Sequence, residues 1–390
     1  MDFTLSEQMR QLFETVERFI ANELQPLEED IERTGVLDPQ LARQVFERSR
    51  ALGLYAVNMP ESLGGGGLSA VETCLLEEKF AATSDILIRR AFGNVYEALL
   101  LCDAEQSLRW LEPTVRGERT CSIAITEPGA GSDAASIRTR AAPDGDGWRL
   151  TGSKHFISDG LFSDYFIVSA VSDPGAGARG ISLFLVDKSL PGVSVGRDQP
   201  MMGLRGTSHI ELNFDAVPLE AMCLLGEAGR GLRIILQTLG RVRLAHIGAR
   251  AVGKSMRAFE LMLAYARQRE QFGQPIGEFQ LVQQMLADSA LDIETARLLV
   301  LKAAWLLDQG GEAREHIAMA KVYAAEALGR VVDRCVQVHG GLGYCKDLAV
   351  ERLYRDARIF RIYDGTSEIH RLAIARGLLK NGAQMLSPGH

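Results

Sequence analysis

The chain has 390 residues, of which 46% are hydrophobic and 24% are charged. This length exceeds what one hydrophobic core usually organises, so two or three domains are expected. The formal net charge of −7 gives no electrostatic indication of nucleic-acid binding, so nucleic acid is not predicted as a partner.

The N-terminal segment lacks the pattern of a secretory signal, because it carries Asp2, Glu7 and Glu14 and has no long apolar run. No other segment reaches the length of a membrane-spanning helix, so no membrane span is predicted. The six cysteines form no CxxC pair. They predict free thiols in a reducing compartment, which favours a cytoplasmic location.

The first third of the chain has helical periodicity. Thr4 and Glu7 have capping-box spacing, and an apolar stripe follows on one helical face. The stripe consists of Met9, Leu12, Phe13, Val16, Phe19 and Ile20. Residues 61–68, with four consecutive glycines, predict a loop, and helical patterning resumes from residue 70 to about residue 101. A helical domain over residues 1–120 is predicted.

Between residues 121 and 230 the pattern changes to short apolar or β-branched runs separated by Gly, Pro and Asp, which predicts a β-domain. Helical periodicity returns from about residue 231. One helical face extends from Val282 to Ala303, and Gly310 and Gly311 should end that helix. The predicted order is thus a helical domain, a β-domain over 121–230 and a helical domain over 231–390.

The segment Gly175–Gly180 matches the GxGxxG pattern of dinucleotide-binding folds and follows a predicted strand. Phosphate binding by that pattern requires a helix directly afterwards, but residues 181–186 predict another strand. We therefore interpret the segment as a β-hairpin loop. HExxH, GxSxG and GxxxxGK[ST] motifs do not occur, and no metal site is predicted.

The segment from Ala124 to Asp133 places the end of a strand before a glycine-rich turn that bears hydroxyl groups. This geometry exposes backbone NH groups to an anionic or carbonyl ligand, although a plain turn between strands is the alternative for this segment alone. The segment resembles the TEPxAGSD signature of the acyl-CoA dehydrogenase family. Similar motifs follow in matching order over nearly the whole chain, at residues 152–158, 202–208, 225–231, 267–276, 337–343 and 354–369.

The resemblance implies an α+β multidomain fold with an N-terminal helical domain, a central β-barrel-like domain and a C-terminal four-helix bundle. FAD would lie at the junction of the domains and across a subunit interface, so a homo-oligomer, either a dimer or a tetramer, is implied. The substrate would be an acyl-CoA, and electrons would leave through an electron-transfer flavoprotein.

The resemblance also assigns roles to individual residues. Thr126 should hydrogen-bond the edge of the flavin ring, and Ser132 should contact the CoA arm. The other residues assigned to the flavin ring are Ile123, Ile125, Phe156, Ile157 and Ser158. A second set assigned to FAD consists of Arg269, Gln271, Phe272, Gln280, Gln337, Gly340 and Gly341. Within this set, Arg269, Phe272, Gln337, Gly340 and Gly341 would bind the FAD of a neighbouring subunit. Thr366 and Glu368 are also assigned to the cofactor.

In the family reaction, a base removes the α-proton of the acyl-CoA and the β-hydrogen leaves as hydride to flavin N5. The matching base is Asp364, next to Gly365 in the substrate site, whereas most members have Glu at this position. Losing one methylene retracts the carboxylate by roughly 1.5 Å, so an unchanged site would be slow. The resemblance therefore favours a branch of the family that acts on branched, cyclic or otherwise bulky acyl groups. The alternative is an acidic residue that only caps the turn.

A basic residue near the catalytic loop is less well defined. Many members carry an Arg at the position of Leu244, so Arg241 or Arg243 would have to replace it, although the helix phase differs. Arg89 and Arg90 are predicted to lie on a solvated helix face, with a role in reading a polar acyl tail as the less favoured alternative.

Two other functions stay open at this point. A flavoprotein of the same fold with another activity, such as a nitroalkane oxidase, would explain the altered base. A flavin-binding protein without turnover is the second alternative. The resemblance favours the dehydrogenase, with a place in fatty acid metabolism.

Overall fold

The computed structural model describes residues 4–93, 95–311 and 313–387. The N-terminal part is helical, as predicted. Its helices are α1 (Glu7–Phe19), α2 (Glu28–Thr34), α3 (Pro39–Ala51), α4 (Ala70–Phe80), α5 (Asp85–Phe92), α6 (Ala104–Gln106) and α7 (Glu112–Val115). Shorter turns join several of them: π-helical turns at Ile20–Leu24 and Ser107–Leu111, and 3₁₀ turns at Gln25–Leu27, Glu61–Leu63 and Glu97–Leu101.

The predicted apolar stripe of α1 is confirmed, because Val16, Phe19 and Ile20 lie in the core of this domain. The predicted capping box at Thr4 and Glu7 is wrong. The N-cap is Ser6, whose hydroxyl accepts a hydrogen bond from the Met9 NH at 3.2 Å. With the cap at residue 6, the third helical position is Met9, which has no carboxylate to complete the box.

The middle part forms one eight-stranded sheet. Its strands are β1 (Cys121–Ala124), β2 (Arg140–Asp144), β3 (Gly147–Ser158), β4 (Tyr165–Val171), β5 (Ile181–Asp187), β6 (Val193–Asp198), β7 (His209–Leu219) and β8 (Leu224–Leu225). They are ordered β6-β7-β3-β2-β4-β5-β8, and β1 pairs with β4. The GxGxxG segment joins the antiparallel strands β4 and β5, which confirms that it is a hairpin loop.

The C-terminal part consists of four long helical segments with short connecting elements. These elements are α8 (Gly231–Val242), a π-helical turn (Arg243–Ala249), α9 (Arg250–Gln268), the short strands β9 (Glu270–Gln271) and β10 (Gln274–Pro275), α10 (Gln280–Asp308), α11 (Arg314–His339), α12 (Gly341–Tyr344), α13 (Ala349–Ala357) and α14 (Ser367–Asn381). Because the π-helical turn joins α8 to α9 without a break, residues 231–268 form one rod. The predicted fold class is confirmed, while the exact domain boundaries stay predictions.

Buried ion pairs join the N-terminal helices to the bundle. Glu77 in α4 is fully buried and accepts hydrogen bonds from Nε and Nη2 of the Arg250 guanidinium, at 2.6 and 3.1 Å. Although burial opposes it, Arg250 holds the pKa of Glu77 at about 2. Two buried, compensated charges thus fix α4 against α9.

No helix in the described part of the chain is long and apolar enough to cross a bilayer.

Candidate active site

The Asp364–Gly365 segment precedes α14 and has an unusual backbone. Asp364 has a φ of +52° and Gly365 a φ of +94°. A positive φ is uncommon for a residue with a side chain and persists only when the surroundings enforce it. Because they include the predicted base, we call these two residues the catalytic loop.

Three basic side chains hold the two carbonyl groups of the catalytic loop. Arg243 Nε donates to the Asp364 carbonyl at 2.7 Å, and His370 Nε2 lies 3.1 Å from the same oxygen. Lys321 Nζ donates to the Gly365 carbonyl at 2.8 Å. The side chains come from the π-helical turn, α14 and α11, so the bundle fixes the loop from three directions.

The Asp364 side chain is not the cap of the following helix. The N-cap of α14 is Thr366, whose hydroxyl accepts a hydrogen bond from the Ile369 NH at 3.2 Å. Asp364 itself is half-buried. The Asp364 carboxylate therefore does not cap α14, which was the alternative to a role as the catalytic base.

Burial changes the charge balance around Asp364. It lowers the pKa of Lys321 to about 8, although the Asp364 carboxylate opposes the shift. It also lowers the pKa of His370 to about 4, assisted by the neighbouring Arg243. At neutral pH, His370 is therefore uncharged, while Lys321 and Arg243 bring positive charge to the loop.

Of the two arginines considered as replacements for a basic residue at Leu244, only Arg243 contacts the catalytic loop in the described structure. Leu244 is buried in the bundle core, and Arg241 instead pairs with Glu97 at 2.9 Å. Arg243 stands one position before Leu244, so a regular helix would place it on a different face. The π-helical turn Arg243–Ala249 accommodates an extra residue and rotates the preceding helix, which accounts for the contact of Arg243 with the loop.

The predicted flavin site lies on β1, β3 and the turn after β1. Ile123, Ile125, Thr126 and Ser158 are half-buried. In the described parts of the chain, the hydroxyls of Thr126 and Ser158 have no hydrogen-bond partner. Two unsatisfied hydroxyls beside apolar side chains fit a flat, mostly apolar ligand with a polar edge, so these residues are suited to a flavin ring.

Phe156 and Ile157 differ in orientation. The ladder between β3 and β7 shifts register between Lys154 and Ile157, and Phe156 has a φ of +57°. The Phe156 side chain is 49% exposed and available to a ligand, whereas Ile157 is buried in the sheet core. The assignment of the Ile157 side chain to the cofactor is therefore wrong, because neighbouring strand residues point to opposite faces.

A buried ion pair that the residue assignments missed supports this part of the site. Lys154 is fully buried, and its ammonium donates to the Ile125 carbonyl at 3.0 Å and to the Glu127 carboxylate at 2.8 Å. Glu127 in turn accepts from the Arg138 and Thr139 NH groups at 2.7 and 3.0 Å. Lys154 therefore orients the segment on both sides of Thr126. Lys154 lies in the family motif at residues 152–158, and this position could have identified it from the sequence.

The second predicted cofactor set is exposed on the outer surface of the bundle. Phe272 is 95% exposed and has a φ of +53°. The other members, Arg269, Gln271, Gln280, Gln337, Gly340 and Gly341, are also exposed. They belong to the bundle and its connections, whereas Thr126 and Ser158 belong to the β-domain. The Phe272 ring is thus available for contact with another molecule.

The remaining assigned residues lie near the openings of the site. Ser132 is exposed in the turn that follows Thr126, and Glu368 is exposed in the first turn of α14. A side chain at position 365 would contact His370, because its Cβ atom would lie 2.8 Å from His370 Nε2. The φ of +94° also favours glycine at this position.

The prediction of a solvated face for Arg89 and Arg90 is wrong. Arg90 is buried and forms two hydrogen bonds to Asp159, at 2.7 and 2.6 Å, and its guanidinium lies 3.7 Å from the centre of the Phe162 ring. Arg89 donates to Asp85 at 2.6 Å. Because a carboxylate compensates each charge, both side chains can be buried at the boundary with the β-domain.

Two cavities lie close to residues that contact the catalytic loop, although Asp364 and Gly365 line neither of them. The larger, which we call the arginine cleft, has a volume of about 790 Å³. Its lining comprises residues Ala178, Arg179, Gly229, Arg230, Leu232, Arg233, Leu236, Gln237, Gly240, Arg241, Arg243, Leu307, Gly311, Arg314, Ile317, Ala318, Ile369, His370 and Ala373. The described lining thus contains six arginines and no carboxylate.

The smaller cavity, which we call the polar pocket, has a volume of about 40 Å³. Its lining comprises residues Asn58, Thr73, Phe92, Gly93, Val95, Tyr96, Glu97, Thr238, Arg241, Val242, Ala245 and His246. Arg241 lines both cavities and therefore lies between them.

Family models match the chain in three consecutive segments. The descriptions are acyl-CoA dehydrogenase N-terminal domain for residues 6–118, middle domain for 122–217 and C-terminal domain for 229–379. These segments together cover most of the chain, in the order expected from its motifs.

Individual relatives align along almost the whole length. Cyclohexane-1-carbonyl-CoA dehydrogenase of Geobacter metallireducens is 36% identical over 386 residues, covering 98% of this chain and 100% of the relative. The CarC subunit of the caffeyl-CoA reductase–Etf complex of Acetobacterium woodii is 34% identical, covering 96% and 99%. The solved FAD complex of PigA superposes with a TM-score of 0.89 at 29% identity, covering 97% and 99%.

The domain order, the strained loop with its basic contacts and the agreement over nearly the full length lead to one conclusion: the chain belongs to the acyl-CoA dehydrogenase family.

Proposed function

We propose that the protein is an FAD-dependent dehydrogenase that introduces an α,β double bond into an acyl-CoA thioester, with Asp364 as the base. The observation that carries this proposal is the catalytic loop. Three basic side chains hold the Asp364–Gly365 backbone in a strained conformation, and the half-buried carboxylate has no capping role. Strain of this kind is characteristic of active sites.

The residues on β1 and β3 would hold the cofactor. Thr126 and Ser158 offer unpaired hydroxyls, Ile123 and Ile125 offer apolar surface, and Phe156 covers the other side of the ring. When bound, the flavin would accept the hydride that leaves the β-carbon of the substrate. The protein contributes orientation and the exclusion of water, which strengthens the carboxylate as a base.

The arginine cleft would hold the CoA part of the substrate. CoA carries phosphate groups, and guanidinium groups bind phosphate oxygens with paired, charge-assisted hydrogen bonds. Arg233 and Arg314 are exposed in the cleft, and Arg243 connects the cleft to the catalytic loop. This arrangement would place the thioester beside Asp364, while Ser132 would contact the CoA arm from the β-domain.

The acyl group is proposed to be branched, cyclic or otherwise bulky. The Asp364 carboxylate lies roughly 1.5 Å closer to its backbone than a glutamate would, so the α-carbon has to approach the loop more closely. Bulky substituents on the acyl group can shift the α-carbon towards the loop. A relative that acts on a cyclohexane ring supports the proposal.

We also propose an electron acceptor and a mode of assembly. A relative that belongs to a complex with Etf supports an electron-transfer flavoprotein as the electron acceptor. The exposed set around Phe272 supports a homo-oligomer in which these residues reach the FAD of a neighbouring subunit. The cytoplasmic location and the place in fatty acid metabolism stay predictions.

The test is flavin bleaching without oxygen, measured with a panel of straight, branched and cyclic acyl-CoAs and with nitroethane. Asp364→Asn keeps the side-chain volume but cannot accept the α-proton, so flavin reduction should fall by several orders of magnitude while FAD stays bound. Asp364→Glu should slow the bulky substrate and favour straight-chain acyl-CoAs.

Three outcomes would contradict the proposal. Bleaching by nitroethane alone would favour the nitroalkane oxidase alternative, and no bleaching by any compound would favour a protein that binds flavin without turnover. An equal gain for every acyl-CoA with Asp364→Glu would show that Asp364 is only an impaired base.

A further inference from the structure

The polar pocket contains three hydroxyl groups that the protein leaves without partners. These are Thr73 Oγ1, Thr238 Oγ1 and Tyr96 Oη, none of which has a hydrogen bond to any residue in the described part of the chain. None of them is sealed from the cavity, because the buried unpaired side-chain atoms lie elsewhere in the described structure. The three side chains line one cavity, and a polar occupant, either water or part of a ligand, would satisfy their hydroxyls.

The charged groups of the pocket already have partners. Glu97 and Arg241 lie 2.9 Å apart, and His246 Nε2 lies 3.1 Å from Glu77. The Asn58 amide donates to the Val95 carbonyl at 3.0 Å. The polar groups of the pocket that remain without partners are therefore neutral hydroxyls. They suit an uncharged hydroxyl group better than a carboxylate or an ammonium.

The position of the pocket connects it to the reaction. Arg241 and Val242 in its wall directly precede Arg243, which holds the Asp364 carbonyl. Burial raises the pKa of Tyr96, and Asp364 is among the charges that contribute. Tyr96 therefore keeps its proton as a hydrogen-bond donor at neutral pH.

The size of the pocket limits what it holds. A volume of about 40 Å³ corresponds to roughly three water molecules by the same measure. This space fits the end of a short substituent rather than a long alkyl chain. An alkyl end would also leave all three hydroxyls unpaired in a closed space, which is costly.

We propose that the polar pocket binds a neutral hydroxyl group carried by the acyl part of the substrate, and that Tyr96 and Thr238 determine this specificity. The inference rests on the proposed function, because it assumes that an acyl-CoA is oxidised at Asp364. It narrows the substrate class to hydroxylated acyl-CoAs.

The experiment compares pairs of substrates that differ only in one hydroxyl: 4-hydroxycyclohexanecarbonyl-CoA with cyclohexanecarbonyl-CoA, and 6-hydroxyhexanoyl-CoA with hexanoyl-CoA. Flavin reduction is measured without oxygen in the holoenzyme. The wild type should prefer one hydroxylated member by about 10-fold or more in kcat/KM, as expected for one or two hydrogen bonds. Tyr96→Phe and Thr238→Val should each reduce that preference about 3- to 10-fold.

Tyr354→Phe, which removes a hydroxyl from α13 outside the pocket, is the matched control and should keep the preference. Flavin absorbance and Tm verify that each variant folds and retains FAD. If the wild type shows no preference in either pair, or the preference survives both pocket variants, the hydroxyls serve only bound water and the inference is overturned. Failure of every acyl-CoA to bleach the flavin would instead contradict the proposed dehydrogenase function.

Discussion

Lys321→Met should separate the binding of an acyl-CoA from its oxidation. The Lys321 ammonium is fully buried and donates to the Gly365 carbonyl at 2.8 Å. Methionine fills most of the same space but cannot donate. The catalytic loop would therefore lose one of the three contacts that hold it, while the cavity walls on α8 keep their shape.

The size of the effect follows from the lost contact. A hydrogen bond from a charged donor contributes about 1.5–3 kcal/mol, and each 1.36 kcal/mol corresponds to a factor of ten in rate. If this energy holds Asp364 in place, flavin reduction should slow about 10- to 150-fold. A displacement of the base by about 1 Å would have an effect of similar size.

The pH dependence gives an independent readout. Because burial lowers the pKa of Lys321 to about 8, the ammonium is charged below that pH and neutral above it. The rate of flavin reduction in the wild type should therefore fall as the pH rises through about 8. The variant should be slow throughout and lack this step.

The same shift predicts that the variant stays folded. A lysine with a lowered pKa disfavours the folded state while it is charged, and this cost is relieved as the pH rises from about 8 towards 10.5. At pH 7, removal of the charge should thus offset part of the lost hydrogen bond. The Tm of Lys321→Met should lie within a few degrees of the wild type.

Stopped-flow reduction at saturating acyl-CoA between pH 6 and pH 10 provides the measurement, with Lys380→Met on the exposed surface of α14 as the control. Flavin reduction at the wild-type rate in Lys321→Met, or a step near pH 8 that persists in the variant, would refute this role of Lys321.

Two further predictions concern cofactor binding and domain contacts. Arg269→Ala should lower FAD affinity and weaken the oligomer together, which flavin occupancy and sedimentation would show; a monomer with full flavin occupancy would refute the shared site. Arg90→Met should destabilise the protein by about 3–5 kcal/mol, because it leaves the buried Asp159 carboxylate unpaired. A Tm within one degree of the wild type would contradict that estimate, and adding Asp159→Asn should recover part of the loss.

The order of helical and β segments was predictable from the sequence because each periodicity reflects a local property. The buried face of α10 follows from residues three and four positions apart, and Ser289, Ile293 and Ala296 are buried as expected. The hairpin after β4 was predictable for the same reason, since the segment that follows Gly180 has the composition of a strand. The cap of α1 was not, because Thr4 and Ser6 both have capping side chains and only the start of the helix selects between them.

The contacts around Asp364 could not be predicted from local patterns. Arg243 and Lys321 lie 121 and 44 positions along the chain from the carbonyl groups that they bind. Lys321 stands among alanines in the buried stripe of α11, where nothing local distinguishes it from a long side chain that reaches the surface. The role of Arg243 depends on a π-helical turn, and no residue pattern identifies such a turn.

The short base and the rigid loop belong together. An aspartate has one rotatable bond fewer than a glutamate, so its carboxylate has less freedom to adjust towards a substrate. Its position must come from the backbone, and the contacts from Arg243, Lys321 and His370 fix that backbone despite a φ of +52°. The substrate then has to bring its α-carbon to the carboxylate. An acyl group anchored at its far end in the polar pocket would do so, because that anchor and the CoA phosphates would hold it at both ends.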